Sequence, residues 1–506
     1  MSLFENSILL GIIVKQSVKG TIYVYLGVLL GFITTAILFP RIYSTTEVGL
    51  LKIIVAYSTL IAQFGTLGIN GATIRLFPFF RTDDKTHHGF LPFALSIGMI
   101  GFFITAILLL IFKPLLVEMS LEKSTLLVEY INYLIVLVFF QLFFSILDIY
   151  YSALMNSVHG TFLREVFQRI LIILMIGLYY FGLLSFHQFV LSYIAAISLP
   201  TVFILFTLIK EGQFSLQFDF AFLDKRLLKS IGAVSLFSIL NGISVIMIQN
   251  VDLIMVNKML GLDAAGVYAI CFFFAIVVSL PARSIYKIAN VAAAEAWKNN
   301  DKKTLRDIYE KSCLTLFIIG SFLFLGIWLN IENIMQILGP EYQSGRWVVF
   351  FIGLGCLMDM ATGANSSLMG TSKYYKVQSY LLLILVVVLV GLNLVLIPLY
   401  GLAGAAISSA AVLGFLNLLR YLFLYIKYDL QPYNFRFIYV ILIAAAAYFF
   451  AFAIPVQFHF IFDILIRSTV FTLLFLIPVY FFKISTDLNK AADSYLKKLK
   501  IIKEKV

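Results

Sequence analysis

QSVKGTIYVYLGVLLGFITTAILFPRIYSTTEVGLLKIIVAYSTLIAQFGTLGINGATIRLFPFF, residues Gln16 to Phe80, decides the fold. It holds two long apolar runs joined by a short polar turn, and each run is long enough to cross a bilayer, which takes about 20 residues. One lysine, Lys52, lies inside the second run. An ammonium in hydrocarbon costs from about 2.5 kcal/mol upward, so Lys52 must face a watery interior, bind something acidic, or snorkel to the nearer interface.

The rest of the chain repeats this pattern. Of 506 residues 61% are hydrophobic and 12% charged, and the mean hydropathy is +1.00. Soluble domains are about 45–50% apolar, so a soluble globule is excluded and a polytopic membrane protein is expected. Cys271, Cys313 and Cys356 lie in or beside apolar runs without ligand spacing, and read as small core residues rather than disulfide or metal ligands. The residues before Gln16 carry Glu5 ahead of their apolar part and show no small-residue cleavage site. They read as a short helix on the cytoplasmic surface rather than a signal peptide.

About fourteen spans are predicted, near 16–40, 47–69, 89–112, 127–153, 161–181, 188–209, 231–257, 264–287, 310–329, 346–370, 378–398, 401–426, 436–455 and 463–482. With both termini in the cytoplasm, about 30 of the basic residues, Arg164 and Arg169 among them, fall in cytoplasmic segments. Arg41, Lys113, Lys123, Lys258, Arg346 and Arg467 fall outside. The net charge of +11 is therefore a topology and membrane-surface signal, and nucleic acid is not an expected partner. Only the segments around Lys210–Lys229 and Trp297–Lys311 have any soluble length. The last residues, 483–506, form a basic cytoplasmic tail.

An internal repeat sets the architecture. A shift of about 217 residues lays PRIYSTTEVGLLKI over NKMLGLDAAGVYAI, with Arg41 on Lys258 and Gly49 on Gly266; a shift of about 214 lays YSALMNS over SSLMGTS. The expected organisation is an N-terminal six-helix bundle at 1–210, a C-terminal six-helix bundle at 225–430, and helices 13 and 14 at 431–482. The bundles would be related by a pseudo-two-fold along the membrane normal, with cargo in the cleft between them.

The chain has no G-x-x-x-x-G-K-[ST] phosphate loop, no H-E-x-x-H and no D-x-D, and its five histidines are scattered. No enzyme chemistry, metal or organic cofactor is expected. What remains is a set of ionisable groups in or at the edges of spans. Lys52, Lys15, Lys19, Arg75, Arg283 and Lys287 form a candidate cationic lining. Asp252, Asp359 and Asp148 are candidate sites for a coupling Na+ or H+, because ionised groups are hard to place in lipid; Asp148 and Asp359 fall within one helical turn of each other when the repeats are overlaid. Gly27 and Gly31 make a G-x-x-x-G pattern that reads as ordinary close helix packing.

KQSVKGTIYVYLGVLLGFITTAILFPRIYSTTEVGLLKI resembles the opening of bacterial polysaccharide-biosynthesis flippases of the multidrug/oligosaccharidyl-lipid/polysaccharide exporter superfamily. IPLYGLAGAAISS, Ile397 to Ser409, is similar to that family's turn between spans 11 and 12. The resemblance implies two six-helix bundles whose central cavity opens alternately to each side of the bacterial inner membrane. It further implies a cargo of undecaprenyl-pyrophosphate-linked oligosaccharide, such as an O-antigen or lipopolysaccharide unit, carried without bond-making. A monomer working beside polysaccharide polymerase and assembly proteins is expected. Lys52 would lead the lining for the pyrophosphate, its ammonium turned toward the second half of the chain. The alternatives are a multidrug/cation antiporter of the same superfamily, a membrane-embedded polymerase or ligase, which would need a large outer loop, and a scaffold without a cavity.

Overall fold

The computed structural model describes residues 19–154, 156–219, 222–455 and 459–498, and every regular element among them is helical. In chain order these are α1 (Lys19–Ile42), α2 (Thr45–Gly65), α3 (Ile69–Phe80), α4 (Phe90–Leu121), α5 (Thr125–Ala153), α6 (residues 157–180), α7 (Phe186–Lys210), α8 (Lys225–Leu260) and α9 (Leu262–Lys298). There follow α10 (Lys302–Leu329), α11 (Ile331–Leu338), α12 (Pro340–Ala361), α13 (Asn365–Thr371), α14 (Tyr375–Tyr400), α15 (Leu402–Tyr428), α16 (Arg436–Phe452), α17 (Phe460–Phe481) and α18 (Thr486–Lys498).

Twelve of the described helices are long and apolar enough to span, and α16 is a shorter apolar helix. Of the fourteen spans expected, the other two fall on α16 and on α6. The span placed near 161–181 corresponds to α6, which carries Arg164, Glu165 and Arg169 in its first half and a π turn at Leu163–Phe167. The predicted span 47–69 ends at Gly65, and the chain passes through left-handed backbone at Leu67 and Gly68 before α3 begins. The span 346–370 is likewise divided at Gly363, which has positive φ, into α12 and α13. The stretch around Trp297–Lys311, read as soluble, is helical except for a turn at 299–301. There Asp301 caps α10, and hydrogen bonds from the Thr304 hydroxyl and amide hold its carboxyl below the usual range.

Local sequence explains the starts of two spans. Ser44 and Glu47 form a capping box at α2, and Ser185 and Gln188 form another at α7. Each pair satisfies backbone N–H groups that would otherwise be left open at a helix end.

Contacts divide the chain into two compact units, Met1–Ala269 and Ile270–Val506. In the first, α2 packs on α5, α4 and α8, while α7 packs on α5 and α6. Gly49 of α2 meets the start of α9: a Cβ at Gly49 would sit 2.0 Å from the Leu262 carbonyl oxygen, and one at Gly266 would sit 1.9 Å from that of Thr45. The two helices thus cross backbone to backbone, and the Thr45 hydroxyl bonds the Asp263 carboxylate at the same crossing. In the second unit α12, α14 and α15 pack together, and α10 rests on α12, α16 and α17. Cys271, Cys313 and Cys356 are buried and free, as their apolar settings predicted.

The second unit also buries an ion pair. Arg467 Nε lies 2.9 Å from Asp463 Oδ1 on α17, with the two side chains 9% and 5% exposed. Asn333 of α11 donates to Asp463 Oδ2 at 2.5 Å, and an Arg467 Nη2 donates to the Ile454 carbonyl at 3.1 Å.

Candidate functional site: a charged cluster between α1, α2 and α6

Lys52 sits seven residues into α2, about 10 Å along its axis at 1.5 Å per residue. Its ammonium turns onto α1 of its own half, where a turn toward the second half of the chain was expected, donating to Thr35 Oγ1 at 3.4 Å and lying 5.1 Å from the centroid of the Phe39 ring. Phenyl faces attract cations, so this position is stabilised without a counter-charge. Among the described residues no carboxylate pairs with Lys52.

A second cation stands beside it. Arg169 of α6 lies against Gly31, one turn before the Thr35 that Lys52 bonds, and one of its Nη atoms lies 2.9 Å from Glu165 Oε2, four residues earlier on the same helix. Both partners keep some access, at 30% and 24% exposed. The two glycines of α1 explain how this pair is seated. A Cβ at Gly31 would lie 1.7 Å from Arg169 Nη1, and one at Gly27 would lie 2.7 Å from Glu165 Oε2. A Cβ at Gly27 would also lie 2.9 Å from the Glu165 carbonyl oxygen, so the G-x-x-x-G pattern both admits the α6 backbone and forms a notch for a charged pair. π turns interrupt both facing helices, at Ile33–Leu38 in α1 and Leu163–Phe167 in α6. Such turns recur at functional positions because they redirect side chains out of the regular helical rows.

Next to the cluster is a cavity of about 240 Å³ lined by Thr59, Gln141, Arg164 and Gln168, with Val55 and Phe144 on its apolar side. Thr59 Oγ1 donates to Gln141 Oε1 at 2.8 Å, and the Arg164 guanidinium lies 4.7 Å from the Phe144 ring centroid. The space is polar enough to hold water and wide enough for part of a sugar.

The other cationic candidates are placed differently. Lys19 is exposed at the start of α1, some 24 Å along the helix from Thr35 by residue count. Arg75 is exposed on α3. Arg283 and Lys287 are exposed on α9, four residues apart and so on one face. Lys15 lies outside the described residues.

Two of the three acidic candidates, Asp252 and Asp359, are held by donors. Asp252 is buried and accepts from the Tyr268 hydroxyl at 3.0 Å. Asp148 is half-buried on α5, with its carboxylate against Gly160 and within electrostatic reach of Arg164. Asp359 is the most elaborately bonded: Tyr286 donates to Oδ2 at 3.1 Å and Asn417 to Oδ1 at 2.9 Å. Asn365 in turn donates to Asn417 Oδ1 at 3.0 Å, with buried Arg420 at 3.5 Å from the same oxygen. No group of three His, Cys, Asp or Glu side chains spaced for a metal occurs among the described residues.

Sequence reading missed Glu165 and Arg169. It assigned Arg164 and Arg169 to the cytoplasmic charge count, whereas the structure places both within α6. The available signal was the four-residue spacing of Glu165 and Arg169, which puts opposite charges on one helix face.

The described apolar helices, with ionisable groups buried among them, are those of a multi-pass membrane protein. Its fold is similar to a lipid II flippase MurJ in an inward closed conformation, with TM-score 0.71, 14% identity, and 92% of this chain and 99% of that chain covered. It is also similar to an inward-facing multidrug resistance MATE transporter, with TM-score 0.59, 15% identity and coverage of 79% and 93%. A superfamily transporter from Pyrococcus furiosus, described as having a binding pocket of reverse polarity, gives TM-score 0.56, 14% identity and coverage of 81% and 94%. No curated protein sequence matches significantly. Residues 17–289 match the family described as polysaccharide biosynthesis protein, and the chain belongs to that family. It is a transporter family, not an enzyme family, so the polymerase and ligase alternative falls away.

Proposed function

We propose that the protein is a flippase moving an isoprenoid-pyrophosphate-linked oligosaccharide from the cytoplasmic to the outer leaflet of the bacterial inner membrane by alternating access. The observation that carries this reading is the pair of cations, Lys52 and Arg169, set between spans with a single carboxylate for company. A pyrophosphate brings two or so negative charges, and charge-assisted hydrogen bonds from ammonium and guanidinium replace its lost hydration. The isoprenoid tail stays in lipid while sugars use the neighbouring polar cavity. Lys19, Arg75, Arg283 and Lys287, being exposed, serve as outer members of the cationic path. The contact of Gly49 with Gly266, residues that the internal repeat pairs, supports the reading of a six-helix repeat at 1–210 and 225–430. Both termini face the cytoplasm in this reading.

Deletion of the gene is expected to leave lipid-linked oligosaccharide on the inner leaflet and to remove the surface glycan. Normal surface glycan in a deletion strain without a redundant transporter would reject the function.

The transport cycle draws on a cation gradient through Asp359. Tyr286 and Asn417 hold its two carboxylate oxygens in place, and a bound Na+ or H+ shifts the two-state equilibrium by its different affinity for each state. Asp359→Asn preserves the shape and the hydrogen-bonding size of the site. It is expected to leave binding of a pyrophosphate lipid unchanged while lowering gradient-driven flipping in proteoliposomes at least tenfold; flipping that keeps full sensitivity to H+ and Na+ gradients would remove Asp359 from the coupling.

A further inference from the structure

We propose that Glu165 is a built-in stand-in for the cargo's anion, holding Arg169 in the empty transporter and giving it up when a pyrophosphate arrives. The inference rests on the flippase reading. Three observations carry it.

First, the stoichiometry of charge is uneven. Lys52 reaches Thr35 and Arg169 lies against Gly31, one turn apart on α1, and Glu165 is the carboxylate bonded to Arg169, at 2.9 Å. An empty site with two like charges and no anion would push them apart or recruit an ion from solution; one carboxylate removes most of that cost and leaves one positive charge to attract cargo. Second, the pair is held in place. Gly27 lies against Glu165 and Gly31 against Arg169, so neither side chain can leave in the direction of α1, and the notch fixes the carboxylate at the height of the guanidinium. Third, the pair is neither sealed nor fully solvated. Each partner retains about a quarter to a third of its exposure, which leaves room for an incoming anion to reach the guanidinium. Arg169 can then exchange one bidentate-capable acceptor for another, and guanidinium suits phosphate as well as carboxylate.

The exchange has a functional consequence. Releasing the cargo is the converse of binding it, and a carboxylate waiting four residues away competes for Arg169 as the pyrophosphate loosens. Glu165 therefore weakens binding and speeds release, so that affinity and turnover move in opposite directions when it is neutralised. A purely structural ion pair would lower both together.

The test uses full-length protein in lipid nanodiscs, titrated with farnesyl pyrophosphate and, separately, inorganic pyrophosphate. The same variants are introduced into the deletion strain and scored for surface glycan. Glu165→Gln is expected to bind farnesyl pyrophosphate about tenfold more tightly than wild type. It should restore several-fold less surface glycan at equal membrane abundance. Glu165→Ser, which removes bulk from the Gly27 notch, should show the same opposed changes, and Glu165→Asp should remain near wild type in both. A gain seen with both probes assigns the exchange to the headgroup alone; a gain confined to the farnesyl probe assigns it to the headgroup of a membrane lipid, and either supports the proposal. Unchanged or weaker binding by both neutral variants, with wild type still binding, overturns the stand-in role and leaves the flippase reading intact. Absence of binding by wild type and all variants overturns both.

Discussion

Arg467→Ala is expected to lower the stability of the folded protein by about 3–5 kcal/mol, the range for breaking one side of a buried ion pair. Its guanidinium carries two jobs on α17: an ion pair with Asp463 at 2.9 Å and a hydrogen bond to the Ile454 carbonyl at 3.1 Å. Removing it leaves the Asp463 carboxylate with Asn333 as its remaining described hydrogen-bond partner, in a place that is 5% exposed. The cost is mainly that of the orphaned charge, which has no water to turn to. Replacing both residues with apolar ones, Asp463→Leu with Arg467→Met, is expected to recover most of the loss, since a packed apolar pair is often as stable as a buried ionic one. Unfolding of the purified protein in a denaturing detergent series would measure this; a single variant within 1 kcal/mol of wild type would show that the pair is solvated in the membrane.

Lys52→Ala is expected to reduce surface glycan in a complemented deletion strain by ten- to a hundredfold, with membrane abundance unchanged. The range corresponds to one hydrogen bond between a charged donor and a phosphate, about 1.5–3 kcal/mol. The fold should tolerate the change because Lys52 is not buried in a salt bridge: its described contacts are the Thr35 hydroxyl and the Phe39 ring. Farnesyl pyrophosphate binding should weaken by the same factor. Lys52→Arg retains the charge and is expected to keep part of the activity, limited by the greater bulk beside Arg169. Wild-type glycan from Lys52→Ala would leave the lysine a snorkelling side chain and shift the site toward Arg164 and the neighbouring cavity.

These two residues mark where sequence reading reached and where it stopped. Lys52 was legible because a charge inside an apolar run breaks a pattern that one dimension already displays. Its companion was hidden for the opposite reason. Arg169 lies midway along α6, five residues after Arg164, and two arginines so close together look like the positive-inside signal. The π turn at Leu163–Phe167 that carries the charged residues into the helix leaves no mark in composition. The breaks at Gly68 and Gly363 were obscured similarly: both glycines sit within apolar stretches, and hydropathy registers oil rather than backbone dihedrals. The Asp463–Arg467 pair was readable only by half, since Arg467 was counted as an outside charge without its partner one turn away. Apolar runs and the Gly49–Gly266 correspondence were accessible because each depends on spacing along the chain.

That last contact has a mechanical meaning. Where helices interlock through side chains, turning one against the other means lifting every knob from its hole, and close-packed interiors resist this. At Gly49 and Gly266 there are no knobs: backbone rests on backbone, with carbonyl oxygens filling the space a methyl group would claim. The crossing of α2 and α9 therefore has a tolerance of a single hydrogen atom: a methyl group at either glycine would wedge the helices apart and strain the Thr45–Asp263 bond beside it.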